Sequence, residues 1–107
     1  GKYSTGAQGR LSTDERYAAR YGQEWMYQTA ADLAALAAEM GHAPASLAVA
    51  WAARHRGVTA PIISARNAEQ LAPSLAALKI SLSDEDYARI AALSPTPAPA
   101  TDRLEEA

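Results

Sequence analysis

At 107 residues, 49% apolar and 21% charged, the chain has the composition of one small globular domain rather than of a disordered segment. A formal net charge of -2 and a pI near 5.6 exclude the basic excess with which nucleic-acid binders track phosphates, so any anion site has to be local. Cysteine is absent, which excludes disulfides, thiolate catalysis and thiolate metal ligation and leaves redox chemistry to a bound cofactor.

No apolar run approaches the roughly 20 residues of a membrane span, and no charged segment followed by an apolar one opens the chain. The expectation is a cytoplasmic protein with no membrane or nucleic-acid partner. The chain opens abruptly on Gly1-Lys2-Tyr3, as a piece of something longer would.

Residues 1–22 carry glycines at positions 1, 6, 9 and 22 among polar residues, with no sustained period, and read as a long loop. Over residues 24–40, Met26, Ala30, Leu33, Leu36, Ala37 and Met40 recur at spacings of three and four, which predicts an amphipathic helix ended by Gly41. Pro44 suits the first turn of a second helix, apolar nearly all round through Leu47, Ala48, Val49, Ala50 and Trp51. Arg54, His55 and Arg56 suit its negative C-terminal end, and Gly57 stops it.

Residues 58–63, Val-Thr-Ala-Pro-Ile-Ile, form a short run without alternation and predict one buried parallel strand. Such a strand needs neighbours on both sides, and the rest of the chain offers none, so its partners must lie elsewhere. Asn67 and Gln70 have the spacing of a capping box, and Leu71, Leu75 and Leu78 extend a helix over residues 68–78 that Pro73 should bend. Ser83 with Asp86 caps a last short helix, in which Tyr87, Ile90 and Leu93 point inward. The tail from residue 95, with prolines at 95, 97 and 99, reads as disordered or draped on the surface.

Helix, helix, buried strand, helix is what the end of an alternating β/α protein looks like. In such a fold the turn Ile62-Ile63-Ser64-Ala65-Arg66-Asn67-Ala68-Glu69-Gln70 sits at the carboxyl end of its strand. It offers N–H groups at a helix N-terminus beside a guanidinium, which can cradle an anion. The plainer reading makes Arg66 a solvated arginine and Asn67 only a cap.

Five segments in order change that weighting. Gly1-Lys2-Tyr3, residues 33–41 (LAALAAEMG), 44–51 (PASLAVAW), 61–71 (PIISARNAEQL) and 82–85 (LSDE) resemble the closing region of the aldo/keto reductases, over about residues 1–93. Within that superfamily the chain is most similar to the bacterial reductases and the potassium-channel β-subunit-like members. The resemblance implies the C-terminal third of a (β/α)8 TIM barrel, in an α/β fold, spanning residues 1–94 and followed by the tail 95–107. It also implies an oxidoreductase that uses NADPH to reduce the aldehyde or ketone group of a small carbonyl substrate.

Carried over by position, Lys2 would contact the cofactor pyrophosphate and Arg10 would reinforce it. Arg66 would lie along the adenosine 2′-phosphate and adenine, Gln70 would bond that phosphate or the ribose, and Ser64 would offer its backbone N–H. Ser64 replaces the family's usual glycine and Pro73 a usual glutamate; Ser74 replaces the asparagine that binds adenine, so the phosphate contacts survive better than the adenine contact.

The Asp, Tyr, Lys and His tetrad lies earlier in the family pattern than Gly1, so no catalytic residue is carried over and this chain alone is expected to be inactive. Tyr17, Tyr21 and Tyr27 are not substitutes, since no lysine or histidine is placed to activate them. His42 reads as a loop residue and His55 as a helix-end residue, and the two do not make a metal site.

Two other classes compete with this reading. Residues 33–51 have the outline of a helix-turn-helix, but residues 44–53 offer only Ser46 as a polar side chain for reading DNA. The second is a non-catalytic α-rich interaction fragment. A closed barrel takes about 250 residues, so 107 would leave Leu47, Trp51, Ile62 and Ile63 incompletely covered and the isolated chain marginal, with the N-terminal portion of the barrel as the missing partner.

Overall fold

The computed structural model describes residues 14–96, apart from the side chains of Tyr17, Arg20 and Tyr21. It divides into two compact units, one holding residues up to Asp32 together with those from Leu93 onward, the other Leu33–Ala92.

In the first unit, helix α1 spans Glu15–Tyr21 where a loop was expected. The sequence ERYAARY has too few strong hydrophobes for a periodic stripe, but its Glu, Ala and Arg are good helix formers. The Asp14 carbonyl accepts from the Ala18 N–H at 2.9 Å, and the Ala18 carbonyl accepts from the Gly22 N–H at 2.6 Å. A Cβ on Gly22 would lie 2.5 Å from that carbonyl oxygen, so this tight ending requires glycine. Helix α2 spans Glu24–Met40, as its period predicts, and its first half belongs to this unit. There the Trp25 indole N–H donates to the Gln23 side-chain oxygen at 2.9 Å, and the Thr29 hydroxyl to the Leu93 carbonyl at 3.2 Å.

In the second unit, the last half of α2 buries Leu36 and Ala37 and ends as Gly41 enters the left-handed region with φ +79°. The His42 N–H reaches the Ala37 carbonyl at 2.8 Å and the Gly41 N–H the Ala38 carbonyl at 3.2 Å, the paired bonds of a Schellman ending. Helix α3, Pro44–Arg54, follows with Pro44 in its first turn. It packs against helix α4, Ala68–Ala76, against the 3₁₀ turn Ala77–Lys79 that continues α4, and against helix α5, Asp84–Ala91. Leu47 is completely buried, which corrects the expectation that it lacks cover: α4 and α5 of this same unit enclose it. Ala50, Ala77, Leu82 and Ile90 complete the small core.

Pro73 shapes the end of α4. It has no N–H to donate, and four residues on the Ala77 N–H bonds the carbonyls of Ser74 and Leu75 rather than that of Pro73. The Pro73 carbonyl instead accepts from the hydroxyl of the buried Ser46, and the helix tightens into a 3₁₀ turn. The predicted helix over residues 68–78 is thus an α-helix that stops at Ala76.

The buried strand expected at residues 58–63 is not observed. Among the described residues there is no strand; residues 58–67 are irregular, with Ile62 fully exposed and Ile63 half-buried. A strand is fixed by pairing with a neighbour, and no second extended segment lies beside this one among the described residues. No single helix among the described residues is long and apolar enough to cross a membrane.

The fold predicts a severe effect at one position. Leu47→Ala should lower stability by about 2–5 kcal/mol, seen as a fall in the urea midpoint at unchanged slope; an unshifted midpoint would show that the α3 interface does not hold the unit together.

Candidate functional site

The turn into α4 is built by a local cap. Asn67, in extended backbone, accepts the Gln70 N–H on its side-chain oxygen at 2.9 Å, as the spacing predicts. The reciprocal arm reaches one residue further than in a standard capping box: the Gln70 side-chain oxygen accepts from the Arg66 N–H at 3.0 Å, not from Asn67. The two bonds close a ring around residues 66–70 and fix where α4 begins.

Four of the six candidate cofactor residues lie on this turn and helix. Ser64, Arg66 and Gln70 are exposed, and Ser74 is half-buried. Gln70 and Ser74 are four apart and share a face of α4, immediately after Arg66. Lys2 and Arg10 fall outside the described residues. The side chains along this turn and helix offer a guanidinium, two hydroxyls and a carboxamide whose oxygen accepts the Arg66 N–H. That is a set of donors suited to an acceptor-only group such as a phosphate. Glu69, in the first turn of α4, is the nearby carboxylate; it lies about 100° around the helix from Gln70. It lines a different feature, an open depression of about 540 Å³ between the Gly41–Ala43 corner and the Ala72, Pro73 and Ala76 side of α4.

A model of the aldo/keto reductase family matches residues 2–95. The chain belongs to the aldo/keto reductase family. These are (β/α)8-barrel oxidoreductases that generally use NAD(P)H, and the turn just described lies inside the matched region. No curated protein and no solved structure gives a match.

Sequence reasoning missed a second cluster in this aldo/keto reductase chain. The Trp51 and Tyr87 rings stack with centroids 5.8 Å apart and planes at 16°. The Arg54 guanidinium lies over the Tyr87 ring, 4.8 Å from its centroid, and pairs with Asp84. The buried Trp51 indole N–H has no hydrogen-bond partner among the described residues. The cluster ties the end of α3 to the start of α5 across some thirty positions of sequence, a separation no local pattern signals. His55 closes α3 as a C-cap, its Nδ1 accepting from the Gly57 N–H at 3.0 Å, and His42 sits in the turn after α2, so both are where the sequence placed them.

The cap itself can be tested. Asn67→Ala should destabilise the second unit by about 1 kcal/mol and expose the Gln70 amide to faster hydrogen exchange, while Asn67→Ser should restore most of the loss; unchanged exchange at Gln70 would show that the bond is not made in solution.

Proposed function

We propose that this chain forms the part of an NADPH-dependent aldo/keto reductase that grips the adenosine 2′-phosphate, in an enzyme that reduces aldehydes or ketones. The observation that carries the reading is the turn 64–70 leading into α4. There Arg66 and the Gln70 carboxamide flank a capped helix N-terminus inside the family match. The helix end favours negative charge, Arg66 supplies a planar fork of donors, and Ser64 and Ser74 add hydroxyls that can bond a phosphate or the ribose.

The donor set fits the group. Phosphate oxygens only accept, and the Arg66 guanidinium, the Gln70 amide nitrogen and the Ser64 and Ser74 hydroxyls can all donate. When bound, the nicotinamide supplies the hydride; the residues described here hold the other end of the cofactor, which orients it and sets its affinity. The proton-donating tetrad belongs to the barrel portion that precedes this region in the family pattern. That portion would also supply the strands that residues 58–63 need, so it is the partner we assign to the exposed Ile62.

Calorimetric titration of the chain with NADPH and with NADH tests the reading. NADPH should bind more tightly, and Arg66→Ala should cost at least about tenfold in NADPH affinity while changing NADH little, as expected for one charge-assisted contact. Equal affinities, or an Arg66→Ala chain that binds NADPH like the parent, would remove the reading.

A further inference from the structure

One stretch of backbone is left without partners. Among the described residues, the main chain of residues 59–65 makes no hydrogen bond. On either side of it the Val58 N–H is given to the His55 carbonyl at 3.0 Å and the Arg66 N–H to the Gln70 side chain. Exposure alternates along this stretch: Ala60, Ile62 and Ser64 are exposed, and Pro61 and Ile63 are half-buried. That is the two-residue period of an extended chain, in which successive N–H groups point to opposite edges. Ala60 and Ile62 therefore offer free donors and acceptors along one edge, and Pro61, which has no N–H, falls on the other.

We infer that two copies of this chain associate by antiparallel pairing of this edge, with Ala60 of one copy opposite Ile62 of the other. A two-fold axis at Pro61 lets the two segments serve each other. Each Ala60–Ile62 pair exchanges two hydrogen bonds, and the two prolines meet at a position where antiparallel strands need no donor. Ile62, fully exposed in the single chain, then lies beside the small side chain of the partner's Ala60. No charged side chain stands between Gly57 and Ala65 to oppose the approach of an identical segment. Pro61 withholds a donor from the far edge, so the pairing closes at two copies instead of growing into a sheet.

Four main-chain bonds and one pair of isoleucines make a small interface, so association should be weak, with a dissociation constant of roughly 0.01–1 mM. The barrel portion proposed above would take the same edge, so the two forms of pairing exclude each other. The inference does not draw on the cofactor reading.

Sedimentation of the full chain over a concentration series tests it, with amide hydrogen exchange of the parent followed by NMR. The mass should rise from 11.3 kDa toward twice that value and level there. Exchange at Ala60 and Ile62 should slow as concentration rises, and exchange at Thr59 and Ile63 should not. A60P, which removes an edge donor from each copy, should weaken the dimer at least about tenfold. T59P, on the opposite edge, should change it by less than about threefold.

A parent that stays monomeric up to about 1 mM, or a mass that climbs past the dimer, would overturn the inference. So would exchange that slows at Thr59 and Ile63 rather than at Ala60 and Ile62, or an A60P chain that keeps both the melting temperature and the dimer of the parent. The exchange pattern is read on the parent, so it decides the matter even where A60P does not fold.

Discussion

Helix α3 is the element on which the second unit is assembled, and two adjacent residues make it so. Leu47 is wholly enclosed, and Ser46 beside it spends its hydroxyl on the carbonyl of Pro73. A buried hydroxyl without a partner would destabilise the interface, and so would a helix carbonyl left without a donor; each residue satisfies the other. The bond also sets how α4 ends. Pro73 cannot continue the α-helical ladder from its own nitrogen, the Ala77 N–H turns to later carbonyls, and the resulting 3₁₀ turn brings Ala77 into the core. The start of α4 is fixed independently by Asn67 and Gln70, so both ends of a nine-residue helix are specified by side chains.

What the unit leaves uncovered is as orderly as what it buries. Leu75 lies on α4 and Leu78 on the 3₁₀ turn that continues it, yet the packing on α3 runs through Pro73 and Ala77, and Leu78 stands 86% exposed. Ile62 is bare in the stretch where a strand was expected. Large apolar side chains concentrated on a helix stripe and on an unpaired segment mark surfaces made for contact. In a (β/α)8 barrel, the helix after a strand lays its apolar stripe on the sheet, and that strand pairs with its neighbours. Both exposed features fall on the segment that forms one β/α step in such a barrel. The surface ion pairs Arg54–Asp84 and Glu39–Arg89 join α5 to α3 and to α2, each a modest contribution at an exposed site.

The sequence was most legible where local chemistry decides the structure. The α2 period, Gly41 as its stop, Pro44 as the next start, and the Asn67 and Ser83 caps are all realised, the Ser83 hydroxyl accepting from the Asp86 N–H at 3.0 Å. It was least legible where structure depends on something other than periodicity. Helix α1 forms from residues with good propensity and no stripe, so a search for apolar spacing passed over it. The run at 58–63 has the β-branched composition of a strand, but composition cannot supply the neighbour that turns it into one. At the candidate site, residue types were readable and their hydrogen bonds were not. Gln70 could be placed as a polar residue near Arg66, but that its oxygen faces inward toward the Arg66 amide is a fact of geometry.

That geometry separates two contributions at the start of α4. The Asn67 oxygen takes the Gln70 N–H, and the Gln70 oxygen takes the Arg66 N–H, which lies before the helix begins. The cap therefore fixes the direction in which α4 leaves the turn, and with it the face that Gln70 and Ser74 share. A helix N-terminus favours negative charge whichever residue caps it, so the capping bonds contribute position and the adjacent guanidinium contributes charge.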